Sequence, residues 1–325
     1  MVLLIVSDLH YEKGKYKGLD ESGSFKNFVK LVRRSNADNI VVLGDIGHAW
    51  RSENFDALAD TGAKFYFIYG NHDVVPLMKQ AKNKDGTNML MEDGAVIETD
   101  GFVLAFINGV AGNTKLEEGM DKKEVDNFEK IAKDIKSKVE QEHSKNSENL
   151  VLLTHAGPTM DSMLPLTRRS KSFSQASSPS SEAVNRAIEI TKPFLSISGH
   201  VKFTGLGTHN YNDSSAIVVK VQTSTLEGTY ALLDKHKLII GSIYNNITLP
   251  ADRWAFSVGL KDLRRIVKDR LPITYLLLPE YETNGAIESS VAKVDQKSDL
   301  SSLERQPNPD FSNSSRKENK MINIR

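Results

Sequence analysis

The chain contains no cysteine. That absence excludes disulfides, zinc–thiolate sites, iron–sulfur clusters and thiol nucleophiles together, so any metal must be held by His, Asp, Glu, Asn or water. Net charge is missing too, because Lys+Arg and Asp+Glu both number 42. No global field gathers a polyanion, and a nucleic-acid substrate would need a local patch. Long hydrophobic runs are also lacking. The amino-terminal run Val2–Val6 stops at Ser7 and Asp8, too short for a signal-peptide core or a membrane span, and no later run reaches membrane length. The expectation is a cytoplasmic protein that does not enter a membrane. Beyond Tyr281 the only aromatic residue is Phe311, among Ser, Asn, mixed charges and the Pro307-Asn308-Pro309 step. Such a composition buries too little surface to offset its ordering entropy, and disorder is expected over 283–325.

Short β-branched runs alternate with longer periodic segments, the pattern of strands covered by crossover helices. Val2–Val6, Ile40–Leu43, Phe65–Tyr69, Val103–Ile107, Leu150–Thr154 and Phe194–Ser198 read as buried strands. A second set follows at Ala216–Val221, Thr229–Leu233 and Leu238–Ile240, the last two flanking a polar turn as an antiparallel hairpin. Phe25, Phe28, Val29 and Val32 mark one amphipathic helix, and Lys122–His143 a longer one with a charged, solvated face. The Ser-rich stretch Ser170–Ser181 reads as an exposed loop. Val258–Arg270 reads as a further amphipathic helix, followed by a strand at Thr274–Leu278. At 325 residues, the chain is one large domain, or one domain with an appendage.

Chemistry gathers where the early strands end. Val2–Val6 runs into Asp8-Leu9-His10, Ile40–Leu43 into Gly44-Asp45, and Phe65–Tyr69 into Gly70-Asn71-His72-Asp73. Leu150–Thr154 runs into His155, and Phe194–Ser198 into Gly199-His200. In open α/β sheets ligands bind at the carboxyl ends of strands, so the fold would bring these side chains to one rim. A single histidine in such a place is more often structural; five strand ends in succession point to a site. His143 and His236 lack that context and are assigned to the surface. Carboxylate, imidazole and one amide without sulfur suit Mn²⁺, Fe²⁺ or Zn²⁺ at an open site. Asp8 and His10 can face one ion, and Asp45 carries two oxygens that could bridge a pair of ions.

The ordered set Asp8-x-His10, Gly44-Asp45, Gly70-Asn71-His72-Asp73, His155 and Gly199-His200 resembles the signature of the calcineurin-like metallophosphoesterases. The resemblance covers roughly Met1 to Asp234, and Glu227-Gly228-Thr229-Tyr230-Ala231 is similar to the strand that closes such domains. It implies a four-layer α/β/β/α sandwich over 1–240, leaving 241–282 as a small α/β appendage without an assigned role and 283–325 as the disordered tail. It further implies a phosphoric ester hydrolase that uses one or two divalent ions to activate hydroxide for in-line attack at phosphorus; the expectation here is Mn²⁺ foremost among the ions the donor set suits, and diesters somewhat preferred over monoesters. Asp8, His10 and Asp45 would hold the first ion; Asp45, Asn71, His155 and His200 the second. His72 would not ligate but act on the leaving oxygen. Asp73 would either orient that loop or cap a helix.

One position departs from the pattern. The family's Gly-His-x-His is Gly199-His200-Val201-Lys202 here, and a protonated lysine cannot ligate a cation. Either three protein ligands and water complete the first site, or another residue such as His209 substitutes, or the site is vacant; the first is preferred. Lys202 would then neutralise a substrate oxygen. The Asp45-Ile46-Gly47-His48 spacing is similar to that of double-strand-break repair nucleases, which gives His48 a place near substrate. Arg168 and Arg169, with Lys171, would overhang the site and bind phosphate. The expected substrate is thus a small-molecule or oligonucleotide phosphoester, and protein partners are left unassigned. The alternatives are a DNA or RNA nuclease and a non-catalytic scaffold of the same fold.

Overall fold

A computed structural model describes residues 2–11, 15–16, 19–20, 23–110, 122–166, 179–200, 203–223, 228–243 and 255–277. In chain order the elements are β1 (Leu3–Val6), β2 (Lys15–Tyr16), β3 (Leu19–Asp20), α1 (Ser24–Ser35), β4 (Asn39–Leu43), α2 (Ser52–Ala59), β5 (Lys64–Ile68), α3 (Val75–Met78), β6 (Val96–Thr99) and β7 (Phe102–Ile107). There follow α4 (Lys122–Glu142), β8 (Leu150–Thr154), β9 (Ser162–Pro165), α5 (Pro179–Thr191), β10 (Leu195–Ser198), β11 (Gly205–Tyr211), β12 (Ser214–Lys220), β13 (Thr229–Leu233), β14 (Lys237–Ser242), β15 (Ala255–Gly259) and α6 (Leu260–Asp269).

Two sheets form, with strand orders β15-β14-β13-β1-β4-β5 and β6-β7-β8-β10-β12-β11-β9, beside a short β2-β3 pair. Within the first, β1, β4 and β5 run parallel; within the second, β7, β8, β10 and β12 do. Strands of this kind are apolar on both faces because both faces are covered. Alternation sorts their side chains. Leu3, Ile5, Val41, Leu43 and Ile68 point between the sheets and meet Leu104, Phe106, Val151, Leu153, Leu195 and Ile197 from the other side. Leu4, Val6, Ile40, Val42, Phe65 and Phe67 point outward, where Phe28, Leu31 and Val32 of α1 and Phe55 and Leu58 of α2 cover them with Trp50. On the opposite flank α4 and α5 lay Phe128, Ile131, Ile135, Val184 and Ile188 over Val103, Ala105 and Leu152. The architecture is the expected α/β/β/α sandwich.

The structure differs from the sequence reading in several places, most of them toward the carboxyl terminus. β15 pairs antiparallel with β14, and Leu260, Leu263 and Ile266 of α6 enter the core between the sheets with Ile273 and Leu276. Segment 255–277 thus shares the main hydrophobic core. The Thr274–Leu278 run, read as a strand, is instead a 3₁₀ turn over Ile273–Leu277, and Tyr275 N–H donates to the Pro272 carbonyl at 2.9 Å. A short apolar run has no period to separate the two states, and the preceding proline has no N–H for a ladder. Pro179, read as part of a loop, opens α5, since proline's fixed φ suits a first helical turn. Strands β6, β9 and β11 were not expected; β11 is glycine-rich and takes its pairing from β12 and β9. Chain contacts divide the protein into units 1–287 and 288–325. The expected tail, like residues 170–178 of the Ser-rich loop, lies outside the described residues.

Candidate metal centre

Parallel pairing in both sheets sets the ends of β1, β4, β5, β8 and β10 side by side, and their following loops carry the chemistry. Hydrogen bonds tie the loops together across the sandwich. His200 N–H donates to Asp8 Oδ2 at 2.8 Å, and Asp8 N–H to the Gly44 carbonyl at 3.0 Å. His72 N–H donates to Asp45 Oδ1 at 2.8 Å. The Ser7 hydroxyl also donates to Asp8 Oδ2, at 2.5 Å.

Two donor groups result. Asp8, His10 and Asp45 offer ligand atoms within 4.8 Å of one another, and so do Asp45, His155 and His200. Asp45 is common to both. His10 Nε2 lies 3.7 Å from Asp8 Oδ1 and 4.0 Å from Asp45 Oδ2, whereas His155 Nε2 lies 3.4 Å from Asp45 Oδ1. The His155 tautomer follows from its other nitrogen. Nδ1 lies 2.6 Å from the Leu43 carbonyl, which can only accept, so Nδ1 carries the proton and Nε2 faces Asp45.

The backbone reaches this arrangement through strain. Asp8, His10, Asp45 and His200 all have left-handed φ, at 54°, 46°, 53° and 64°. Such a conformation costs a non-glycine residue about 1 kcal/mol, and its clustering marks a functional locus. Space is equally tight. A Cβ at Gly70 would strike the Asp45 carboxylate and lie 2.6 Å from His155 Nε2. Asp73 holds the geometry from behind: Oδ2 accepts from Asp45 N and Gly70 N at 2.8 and 2.7 Å, and Oδ1 from Ile46 N and Gly47 N at 2.7 and 3.4 Å. It is not the cap of α3, whose N-cap is Val74.

Burial sets the electrostatics. Asp8, His10, Asp45 and His155 are all less than 5 % exposed. Desolvation pushes Asp8 up to about 7, helped by Asp45 and opposed by His155. Burial would raise Asp45 as well, yet the charge and hydrogen bond of His155, with His72 N–H and His10, hold it well below the usual carboxylate range. Burial works against a charged His155, but Asp45 and Asp8 outweigh it and carry the imidazole up to about 9. His200 is pushed down to about 4 by burial and by His155. Two desolvated carboxylates ringed by imidazoles call for a cation, and the donor set fits divalent ions.

Other expected residues fall around this centre. His72 lies in neither donor group; its ring packs edge-on against His10 at 5.3 Å and beside His48 at 5.8 Å. Asn71 is exposed in the same loop, and His48 is exposed nearby. His209 is not a substitute ligand among the described residues, since its ring stacks on Tyr211 and Nδ1 contacts Thr159 Oγ1 at 3.4 Å. Lys202, Arg168, Arg169 and Lys171 lie outside the described residues. The left-handed ligand backbone, the Ser7 hydroxyl and a buried lysine, Lys220, escaped the sequence reading. Only Lys220 left a signal there, a charge within the apolar run Ala216–Val221.

The sequence model of the calcineurin-like phosphoesterases matches residues 1–201. Among solved structures, the protein TT1561 of Thermus thermophilus is 16 % identical, covering 74 % of this chain and 98 % of its own, with a TM-score of 0.45. GAP50, the anchor in the inner membrane complex of Plasmodium, is 12 % identical over 80 % and 88 %, with a TM-score of 0.43. The purple acid phosphatase PPD1 from yellow lupin seeds is 13 % identical over 81 % and 55 %, at 0.42. Among curated proteins none matches this chain significantly. Among the described residues no helix is long and apolar enough to cross a membrane. With more than half of the chain matched and two donor groups sharing Asp45 at the strand ends, the protein belongs to the calcineurin-like phosphoesterases and is a metal-dependent phosphoester hydrolase.

Proposed function

We propose that the protein hydrolyses phosphodiesters in preference to monoesters, with Mn²⁺ as its working ion. Asp8, His10 and Asp45 form one ligand set, and Asp45, Asn71, His155 and His200 the other. The observation that carries this reading is the single carboxylate of Asp45 shared by two donor groups, each drawn together within 4.8 Å. Divalent ions bound there would offset charge on phosphoryl oxygens and lower the pKa of attacking water. Three protein ligands in the first set suffice for a catalytic site, even where the family's second histidine is Lys202.

The chain's own residues do the rest. Asp45 stays ionised because His155 and His10 surround it, which keeps both of its oxygens available as acceptors. His155 is held in one tautomer by the Leu43 carbonyl. His72, fixed through its amide to Asp45 but with its ring outside both donor groups, would give a proton to the departing oxygen. The test is His72→Ala in protein analysed for bound metal. Turnover of bis(p-nitrophenyl) phosphate should vanish while metal content stays at the wild-type level; undiminished activity would overturn the role. Contact between the His48 and His72 rings favours a second reading, cleavage of DNA or RNA ends. A labelled oligonucleotide with Mn²⁺ distinguishes the two.

A further inference from the structure

Lys220 ends β12 with its side chain on the face opposite Val219 and Val221, which enter the inter-sheet core. It is 6 % exposed. Among the described residues it has no hydrogen-bond acceptor and no carboxylate; its Nζ sits 5.3 Å above the ring of Phe203. A buried cation without a counter-charge is costly and calls for an anion. Its neighbour across the ladder is Ser198, whose hydroxyl is also buried and without a partner among the described residues. The two side chains come together over Gly157, where an added Cβ would strike Ser198 Oγ and lie 3.1 Å from Lys220 Cε.

This donor pair borders the metal centre. Ser198 is two residues before His200, and Gly157 two residues after His155. Burial pulls Lys220 itself down to about 8, which leaves it largely charged at neutral pH. We propose that Lys220, with the Ser198 hydroxyl, binds an anionic oxygen of the phosphoester held at the adjoining donor groups. The proposal rests on the phosphohydrolase reading for the identity of the anion, not for the existence of the anion site.

The test uses Lys220→Met, which keeps the length of the stem, and Lys220→Arg, which keeps the charge. Inorganic phosphate is titrated into metal-free protein by calorimetry and thermal unfolding, and KM and kcat are measured with Mn²⁺. The Met variant should unfold at or above the wild-type temperature without phosphate, bind phosphate about tenfold more weakly or worse, and raise KM more than it lowers kcat. The Arg variant should recover part of the affinity. Unchanged phosphate affinity in the Met variant overturns the proposal, as does a variant destabilised by several degrees with its phosphate dependence intact, which would identify a lysine paired within the fold. Phosphate binding that depends on Lys220 in a protein that turns over no ester would defeat the hydrolase reading and leave the anion site standing.

Discussion

Asp73→Asn removes one charge and changes one atom, yet it should loosen the metal centre. The wild-type carboxylate accepts four backbone N–H groups, two on each oxygen. An asparagine has one acceptor oxygen, and its best orientation keeps Asp45 N and Gly70 N. Its NH₂ then faces Ile46 N and Gly47 N, donor against donor. The Ile46 bond, at 2.7 Å, is the serious loss, whereas the Gly47 bond at 3.4 Å is weak. Stranding a buried donor costs about 1–3 kcal/mol. Against this, burial already raises the Asp73 pKa, so the neutral side chain escapes a desolvation cost. The net expectation is a destabilisation of about 2 kcal/mol, read as a shift in urea midpoint at constant slope. The consequence for function is larger, because the Asp45 backbone at φ 53° and the Gly70 approach both depend on this carboxylate. Metal affinity should fall about 10–100-fold, as for other residues that orient ligands. A stability loss with metal affinity within twofold of wild type would refute the link from Asp73 to the ligands, and no change in either would refute the hydrogen-bond argument altogether.

Two further outcomes follow from the same structure. In metal-free protein His155 is raised from 6.5 to about 9, so its stabilising effect is complete below pH 6.5 and is lost as pH rises through 9. Asp8 acts in the same direction up to about 7, but His200, lowered to about 4, opposes it below 6.5. Lys220, lowered from 10.5 to about 8, opposes it from pH 8 upward, so the unopposed window is pH 7–8, where thermal unfolding should show a loss of about 1 kcal/mol. Added Mn²⁺ should stabilise increasingly over that range, and a flat metal-free profile would disprove the linkage. Leu263→Ala should cost about 2–5 kcal/mol in urea unfolding, because Leu263 of α6 is fully buried in the inter-sheet core; a cost below about 1 kcal/mol would show that 255–277 is a dispensable addition.

The sequence by itself determined the early strands and the metal-binding side chains that follow them, and its resemblance to the family implied the sandwich. Val2–Val6, Ile40–Leu43 and Leu150–Thr154 are continuous apolar runs because both faces are covered, and each is followed at once by Asp or His, so strand and chemistry were legible together. Long-range pairing was not. β11 is a glycine-rich segment that becomes a strand only beside β12 and β9, and Leu276 is buried in a 3₁₀ turn because of what surrounds it. Nor could the sequence say that α6 closes the main core. At the site, residue types were readable, but their relation was not. That Asp45 is shared by two donor groups, that Asp8, His10, Asp45 and His200 take left-handed backbone, that Asp73 braces two loops, and that Lys220 lies buried beside Ser198, whose hydroxyl has no partner among the described residues, are all decided by packing between segments far apart in the chain. Spacing along a polypeptide encodes which groups can turn toward one face; only the packing of two sheets decides which of them meet and how dry their meeting place is.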